Sequence, residues 1–193
     1  MKAHKLPKLS VKEYINYEME HDLKCEFHDG EIFALAGGTI NHGVLCGNIY
    51  SELGKALRAK ESDCNSYSSE IKLFIESVKS FLYPDSMVIC GDVKESSKDK
   101  NAVVNPILIS EVLSKSTSDY DRGDKFYKYR QIPTLQEYVL IHQDKMVVEI
   151  FFKQPSSDLW KISRYEGESE IIYFESIDVK VKMTDLFYNT RLD

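Results

Sequence analysis

Between Asn41 and Lys60 the apolar residues Val44, Leu45, Ile49, Leu53, Ala56 and Leu57 recur three and four positions apart, the spacing that lines one face of a helix. An earlier helix is signalled by Ser10 and Glu13, an S-x-x-E capping box that opens a turn running to about His21. Between these helices CEFH and EIFAL flank Asp29-Gly30, a dipeptide that favours a tight hairpin turn. Gly37 and Gly38 then break the chain ahead of the long helix. Beyond Lys60 the period shortens. Ser66 to Ile75 reads as a strand, with Ile71, Leu73 and Ile75 alternating against Lys72 and Phe74, and Phe81 to Cys90 (FLYPDSMVIC) reads as the next. A polar loop from Gly91 to about Asn101 is the segment expected to move or vary.

PILISEVL forms the third strand of this reading, DRGDKFYKYRQI the following helix, and LQEYVLIH the strand after it. Gln143-Asp144 turns the chain into MVVEIFF; LWKISRY and EIIYF follow as strands, with a last helical turn near Thr184 to Tyr188. The middle of the chain therefore runs helix–strand–strand–strand–helix–strand with hairpins before and after it. That order predicts a mixed α/β fold whose middle strands share one sheet covered by helices.

Composition narrows the picture without changing it. A chain of 193 residues with 42% apolar and 29% charged residues fits a soluble globular protein, and a single domain over 1–193 is expected. The net charge of −6 argues against a surface wholly devoted to coating nucleic acid, although it permits a local basic groove. Basic residues gather at Lys2, Lys5, Lys8 and Lys12 and again at Arg122, Lys125, Lys128 and Arg130. No signal-peptide run or membrane-length apolar stretch is present. Cys25, Cys46, Cys64 and Cys90 have no zinc-type or framework spacing, so free, mostly buried thiols in a cytoplasmic protein are expected. His21, Cys25 and His28 are a weaker metal candidate than the carboxylates below.

Two acids interrupt apolar strands. Asp85 follows Tyr83-Pro84 and precedes Met87-Val88-Ile89, and Glu111 sits inside ILISEVL. Pro84 cannot donate to a ladder, so it marks an edge, a strand start or a bulge, where a side chain can be re-aimed. A carboxylate near a core needs a cationic partner or a bound cation. An ion pair would satisfy either acid alone. Together, on successive strands about 5 Å apart, the two carboxylates could share one hard cation such as Mg²⁺. Such an ion polarises a scissile phosphate and acidifies a bound water.

Asp85, a loop, and then Glu111-x-Leu113 on the next strand resembles the PD-(D/E)xK nuclease arrangement. More closely, HDGEIFALAGGTINH, FLYPDSMVICG, PILISEVLSKSTSDYDRGDKFYKYRQIPTLQEYVLI and the tail through LFY resemble the Uma-two family of restriction-endonuclease-like proteins, over nearly the whole chain. The resemblance implies an α/β, restriction-endonuclease-like mixed sheet with a helix-strand-strand-strand-helix-strand core and terminal hairpins. It also implies a Mg²⁺- (or Mn²⁺-) dependent endonuclease that hydrolyses DNA phosphodiester bonds. In the superfamily pattern a lysine stands two residues after the glutamate, where this chain has Leu113.

The resemblance suggests that the lysine has moved to the next helix, where DRGDK supplies Lys125. Helical geometry at 100° per residue places Lys125 within the apolar arc of Phe126, Tyr129 and Ile132, with Arg122 near its centre and Lys128 at its border. Lys125 is the expected catalytic lysine beside the metal ligands Asp85 and Glu111, and Lys128 is the substitute. Glu26 and Glu31 fit a polar hairpin face better than a third ligand position. His42 suits a cap, a packed ring or a phosphate donor. Ser114, Ser116, Thr117 and Arg122 are candidates for holding a phosphate backbone, and Asp121 for a helix cap. The other readings are a catalytically inactive nuclease-fold protein that binds nucleic acid or another partner, and a hydrolase of small phosphate esters. A homodimer is expected, because enzymes that cut both strands of a duplex are often two-fold symmetric.

Overall fold

The computed structural model describes residues 8–35, 37–115 and 117–192. Helix α1 (Val11–His21) begins as its capping box requires: Ser10 Oγ accepts the Glu13 N–H, and Glu13 accepts the Ser10 N–H at 2.7 Å. Strands β1 (Cys25–His28) and β2 (Glu31–Ala34) form the Asp29-Gly30 hairpin, with both turn residues at positive φ (38° and 92°). Thr39 caps α2 (Ile40–Ala59), whose buried stripe is Leu45, Ile49, Leu53 and Leu57.

Next come β3 (Cys64–Ser68), β4 (Lys72–Ile75), β5 (Ser80–Leu82) and β6 (Ser86–Cys90). Both long strands expected here are thus broken. β3 pairs with β6 in one sheet and β4 with β5 in another, so a single antiparallel ribbon crosses from sheet to sheet. It bends at Ser68–Glu70 on one arm and Tyr83–Asp85 on the other, with a one-residue slip in register between the paired segments. Pro84, which has no N–H to give a ladder, lies at the bend.

The five-stranded sheet has the order β2-β1-β5-β4-β7, with β7 at Ala102–Val103. The six-stranded sheet has the order β11-β10-β9-β8-β6-β3 and is completed by β8 (Leu108–Leu113), β9 (Glu137–His142), β10 (Val147–Lys153) and β11 (Trp160–Glu166). β8 and β9 run parallel, which requires a crossover. A helical segment supplies it: α3 (Ser118–Tyr120), a π-helical turn (Asp121–Lys125) and α4 (Phe126–Tyr129). On one face of the six-stranded sheet α2 packs with β12 (Ile171–Phe174), β13 (Val179–Lys182) and α5 (Met183–Leu186). On the other face Tyr129, Ile132 and Leu135 meet Ile109, Leu113 and Tyr138, and Leu73 and Leu82 of the five-stranded sheet join them.

The 91–101 loop is pinned. Lys72 on β4 is buried and lies 2.5 Å from both Glu18 of α1 and Asp99 of the loop, while Ser96 donates to the Ala102 carbonyl at 2.7 Å. Tyr83 Oη also donates to Glu18. Cys64 and Cys90, register partners across β3–β6, are disulfide-bonded, which corrects the expectation of free thiols; Cys25 and Cys46 are free. Lys72→Ala strands two buried carboxylates and should lower the unfolding free energy by about 3–5 kcal/mol. Urea denaturation checks this, and a loss below about 1 kcal/mol would contradict the assigned role of the pair.

Candidate active site

Strand register sets the two predicted acids side by side. Ser86 pairs with Ser110 where β6 meets β8, and one step further along this antiparallel ladder brings Asp85 beside Glu111. The bend at Pro84 lifts Asp85 out of the ladder. Its Oδ2 then takes the place of a backbone acceptor and receives the Val112 N–H at 2.8 Å. The same oxygen lies 3.4 Å from His42 Nε2, in the first turn of α2. Glu111 shares a face of β8 with Ile109 and Leu113, beneath the crossover helix. Its Oε1 accepts the Tyr129 hydroxyl at 2.6 Å and lies 2.9 Å from Lys125 Nζ.

Lys125 reaches these acids from a crossover that is not a regular helix. The π turn is wider than an α turn and rotates the residues after it relative to those before. Tyr138 Oη donates to the Asp121 carbonyl in that turn at 2.9 Å. Asp121 and Lys125 both point inward, with 3.7 Å between Nζ and Asp121 Oδ1 and 3.4 Å between Nζ and Glu26 Oε1. Arg122, placed by α-helical arithmetic near the centre of the buried face, instead turns outward along the sheet to Glu149 and His142. Lys128 contacts His28 and the Tyr120 hydroxyl, away from the paired acids.

The charges do not balance locally. Burial opposes a charged Lys125, but Glu111, Glu26, Asp121 and Asp85 outweigh it and hold its pKa well above the usual lysine value. One ammonium cannot serve all these acids. Burial pushes Glu111 well above the ordinary carboxylate range despite Lys125, and it raises Asp121 in the same way. Asp85 goes the other way. Burial would raise it, yet the His42 hydrogen bond, the charges of His42 and Lys125, and the Val112 N–H together hold it low. His42 is raised by its hydrogen bond to Asp85, against its own burial.

An excess of oxygen donors is the chemistry a hard divalent cation takes, and Asp85 and Glu111 are the adjacent carboxylates that could hold one. Asp85 is the more open member, with its side chain 16% exposed against 3% for Glu111. The Asp85–His42 side of the cluster is therefore the side open to solvent.

Other expectations meet the structure unevenly. Glu26, read as part of a polar hairpin face, is buried against Lys125, because β1 is an inner strand of the five-stranded sheet. Glu31 is half-buried at the start of β2 opposite His28. Asp121 is a member of the buried cluster and not a side-chain cap. Ser114 and Thr117 hydrogen-bond to each other at 3.0 Å, while Ser116 lies outside the described residues, as do Lys2 and Lys5. His21 bonds the Tyr17 carbonyl and His28 bonds Ser80, so His21, Cys25 and His28 do not come together as one metal site. Tyr129 was not anticipated as a partner of Glu111. Its position four residues after Lys125 on one helical face was the available signal.

Taken together, the six-stranded mixed sheet, its covering helices and the crossover define a restriction-endonuclease-like α/β protein. The chain belongs to the Uma2 family, described as "Putative restriction endonuclease", whose profile matches residues 11–183. It is 36% identical over 171 residues to the uncharacterized protein sll1609 of Synechocystis sp. (strain ATCC 27184 / PCC 6803 / Kazusa), covering 89% of this chain and 95% of that one. A second protein of that organism, slr1290, is 33% identical over 165 residues, covering 86% and 84%. The crystal structure of a "putative nuclease belonging to DUF820" from Anabaena variabilis ATCC 29413 matches with a TM-score of 0.73 over 93% of this chain and 97% of that one. At 14% identity that likeness is one of fold.

Lys125→Ala leaves Glu26, Glu111 and Asp121 buried without their shared cation. It should cost about 3–5 kcal/mol at about pH 8 in urea unfolding, and less as the pH falls and Glu111 and Asp121, both raised by burial, take up protons. Glu111 has a folded pKa above its unfolded one, so its ionised form costs stability as the pH rises through the folded value. Glu111→Gln should accordingly unfold at an equal or higher urea midpoint than wild type at about pH 8. Wild-type stability in Lys125→Ala at that pH would contradict this electrostatic account.

Proposed function

We propose that the protein is a Mg²⁺-dependent endonuclease (Mn²⁺ serving equally) that hydrolyses phosphodiester bonds of DNA. The observation that carries the reading is the cluster itself. Asp85 and Glu111 stand together by strand register, and Lys125 is held 2.9 Å from Glu111 by a turn of helix shaped for it. Membership of a family described as restriction endonucleases supports DNA as the substrate class.

In this proposal Asp85 and Glu111 hold the cation, which when bound polarises the scissile phosphate and acidifies a water. Lys125 is protonated at neutral pH, since its acids raise its pKa, so it acts as a hydrogen-bond donor and not as a base. Its ammonium orients the attacking water and stabilises negative charge on the phosphate as the bond breaks. Glu26 and Asp121 fix the ammonium from two further sides, and Tyr129 fixes the Glu111 carboxylate. His42 holds Asp85 ionised and aimed at the open side. Cutting both strands of a duplex calls for two such sites, so a homodimer is part of the proposal.

Purified protein should cleave duplex or single-stranded DNA only with Mg²⁺ or Mn²⁺ present. Asp85→Asn and Lys125→Ala should each lower the rate by about 10²-fold or more. Cleavage that persists undiminished in both variants would contradict the assignment. DNA binding without cleavage under any divalent cation would identify the chain as a nucleic-acid-binding member of the fold.

A further inference from the structure

Beside the carboxylate pair lies a second group of donors of a different chemical kind. His42 and Cys46 stand one turn apart on the same face of α2, and Asp85 faces them from the edge of the six-stranded sheet. The His42 ring meets Asp85 through Nε2 at 3.4 Å and Cys46 Sγ through Nδ1 at 3.4 Å. One ligand atom from each residue (an imidazole nitrogen, the thiol sulfur and a carboxylate oxygen) lies within 4.8 Å of the other two. Ligands of a tetrahedral ion at about 2.0–2.3 Å stand roughly 3.3–3.8 Å from one another, so a turn of the His42 ring, which here offers a different nitrogen to each neighbour, with a closure of about 1 Å brings the three onto one ion. The phosphodiester chemistry proposed above has no use for Cys46.

We propose that His42, Cys46 and Asp85 form a second cation site, for a borderline transition metal of the Zn²⁺ type, and that this site draws on the same Asp85 carboxylate as the Mg²⁺ site. Sulfur and imidazole select Zn²⁺ or Co²⁺, whereas carboxylates alone select Mg²⁺ or Mn²⁺. Three protein ligands leave the fourth position to water. On binding, the metal–sulfur bond forms as the thiol proton leaves to solvent. With Asp85 committed to the Zn²⁺-type ion, the neighbouring hard-ion site keeps Glu111 but loses its more open ligand, and its affinity falls. The sharing of Asp85 rests on the nuclease reading; the three-residue site does not.

Co²⁺ titration of the intact protein tests the site, read by the near-ultraviolet sulfur-to-cobalt charge-transfer band. Wild type should develop the band and saturate at a single equivalent. Cys46→Ser and Cys46→Ala should lose it with unchanged thermal melts, and Asp85→Asn should weaken Co²⁺ binding at least about tenfold. A missing band in wild type, or one that survives in both Cys46 variants, overturns the site.

Mn²⁺ binding, followed by water proton relaxation, tests the sharing. Zn²⁺ should weaken Mn²⁺ binding in wild type but leave it within about twofold in Cys46→Ser. Mn²⁺ binding in wild type that Zn²⁺ does not disturb overturns the sharing. If wild type shows the Cys46-dependent band but binds no Mn²⁺, the Zn²⁺-type site stands, and both the sharing and the Mg²⁺ reading fall.

Discussion

The structure turns on one buried ammonium. Lys125 lies against β8, an inner strand of the six-stranded sheet, with Glu111, Glu26 and Asp121 within 4 Å, and little of it reaches solvent. A charge so placed is tolerated only when it is closely surrounded by the opposite sign, and its partners are tolerated only because it is there. The partners come from different parts of the chain: β1 of one sheet, β8 of the other, and the crossover helix itself. The cluster therefore ties the two sheets and the helix to a single point, which sets where each can stand.

Two departures from regular structure make that point possible. The β3–β6 ribbon bends at Tyr83-Pro84-Asp85, which frees the Asp85 side chain from its ladder position and lets it take the Val112 N–H. The crossover widens into a π turn at Asp121–Lys125, from which Asp121 and Lys125 point inward while Arg122 turns out to Glu149. Bulges and π turns are costly when they do nothing, and here each one aims a charged side chain at the same cluster. The result is an acid excess that a lysine alone does not neutralise.

Much of this was readable from local pattern. The Ser10–Glu13 box, the Asp29-Gly30 turn and the α2 stripe are signals contained within a few residues, and each lies where it was expected. Glu111 announced itself because a carboxylate in an apolar strand breaks the pattern. What could not be read depends on pairing over long separations. Ser66–Ile75 and Phe81–Cys90 look uniform as sequence, yet each serves two sheets. Glu26 sits among residues of either polarity, and its burial follows from β1 having neighbours on both sides. The resemblance pointed to Lys125, which lies in the acid cluster while Lys128 lies at His28, but helical arithmetic misplaced Arg122, because the π turn alters the angle per residue. Cys64 and Cys90 are 26 positions apart, and only their register makes them partners.

The central claim is that Glu111 and Asp85 form a place for a hard divalent cation and not merely a counter-charge for Lys125. Calorimetric Mg²⁺ titration of wild type beside Glu111→Gln addresses it directly, since the substitution removes one negative charge while keeping the shape of the side chain. The account predicts saturable binding of one Mg²⁺ per chain in wild type, weakened at least about tenfold in the variant. Equal Mg²⁺ affinity in the two proteins, or none in wild type, would contradict it.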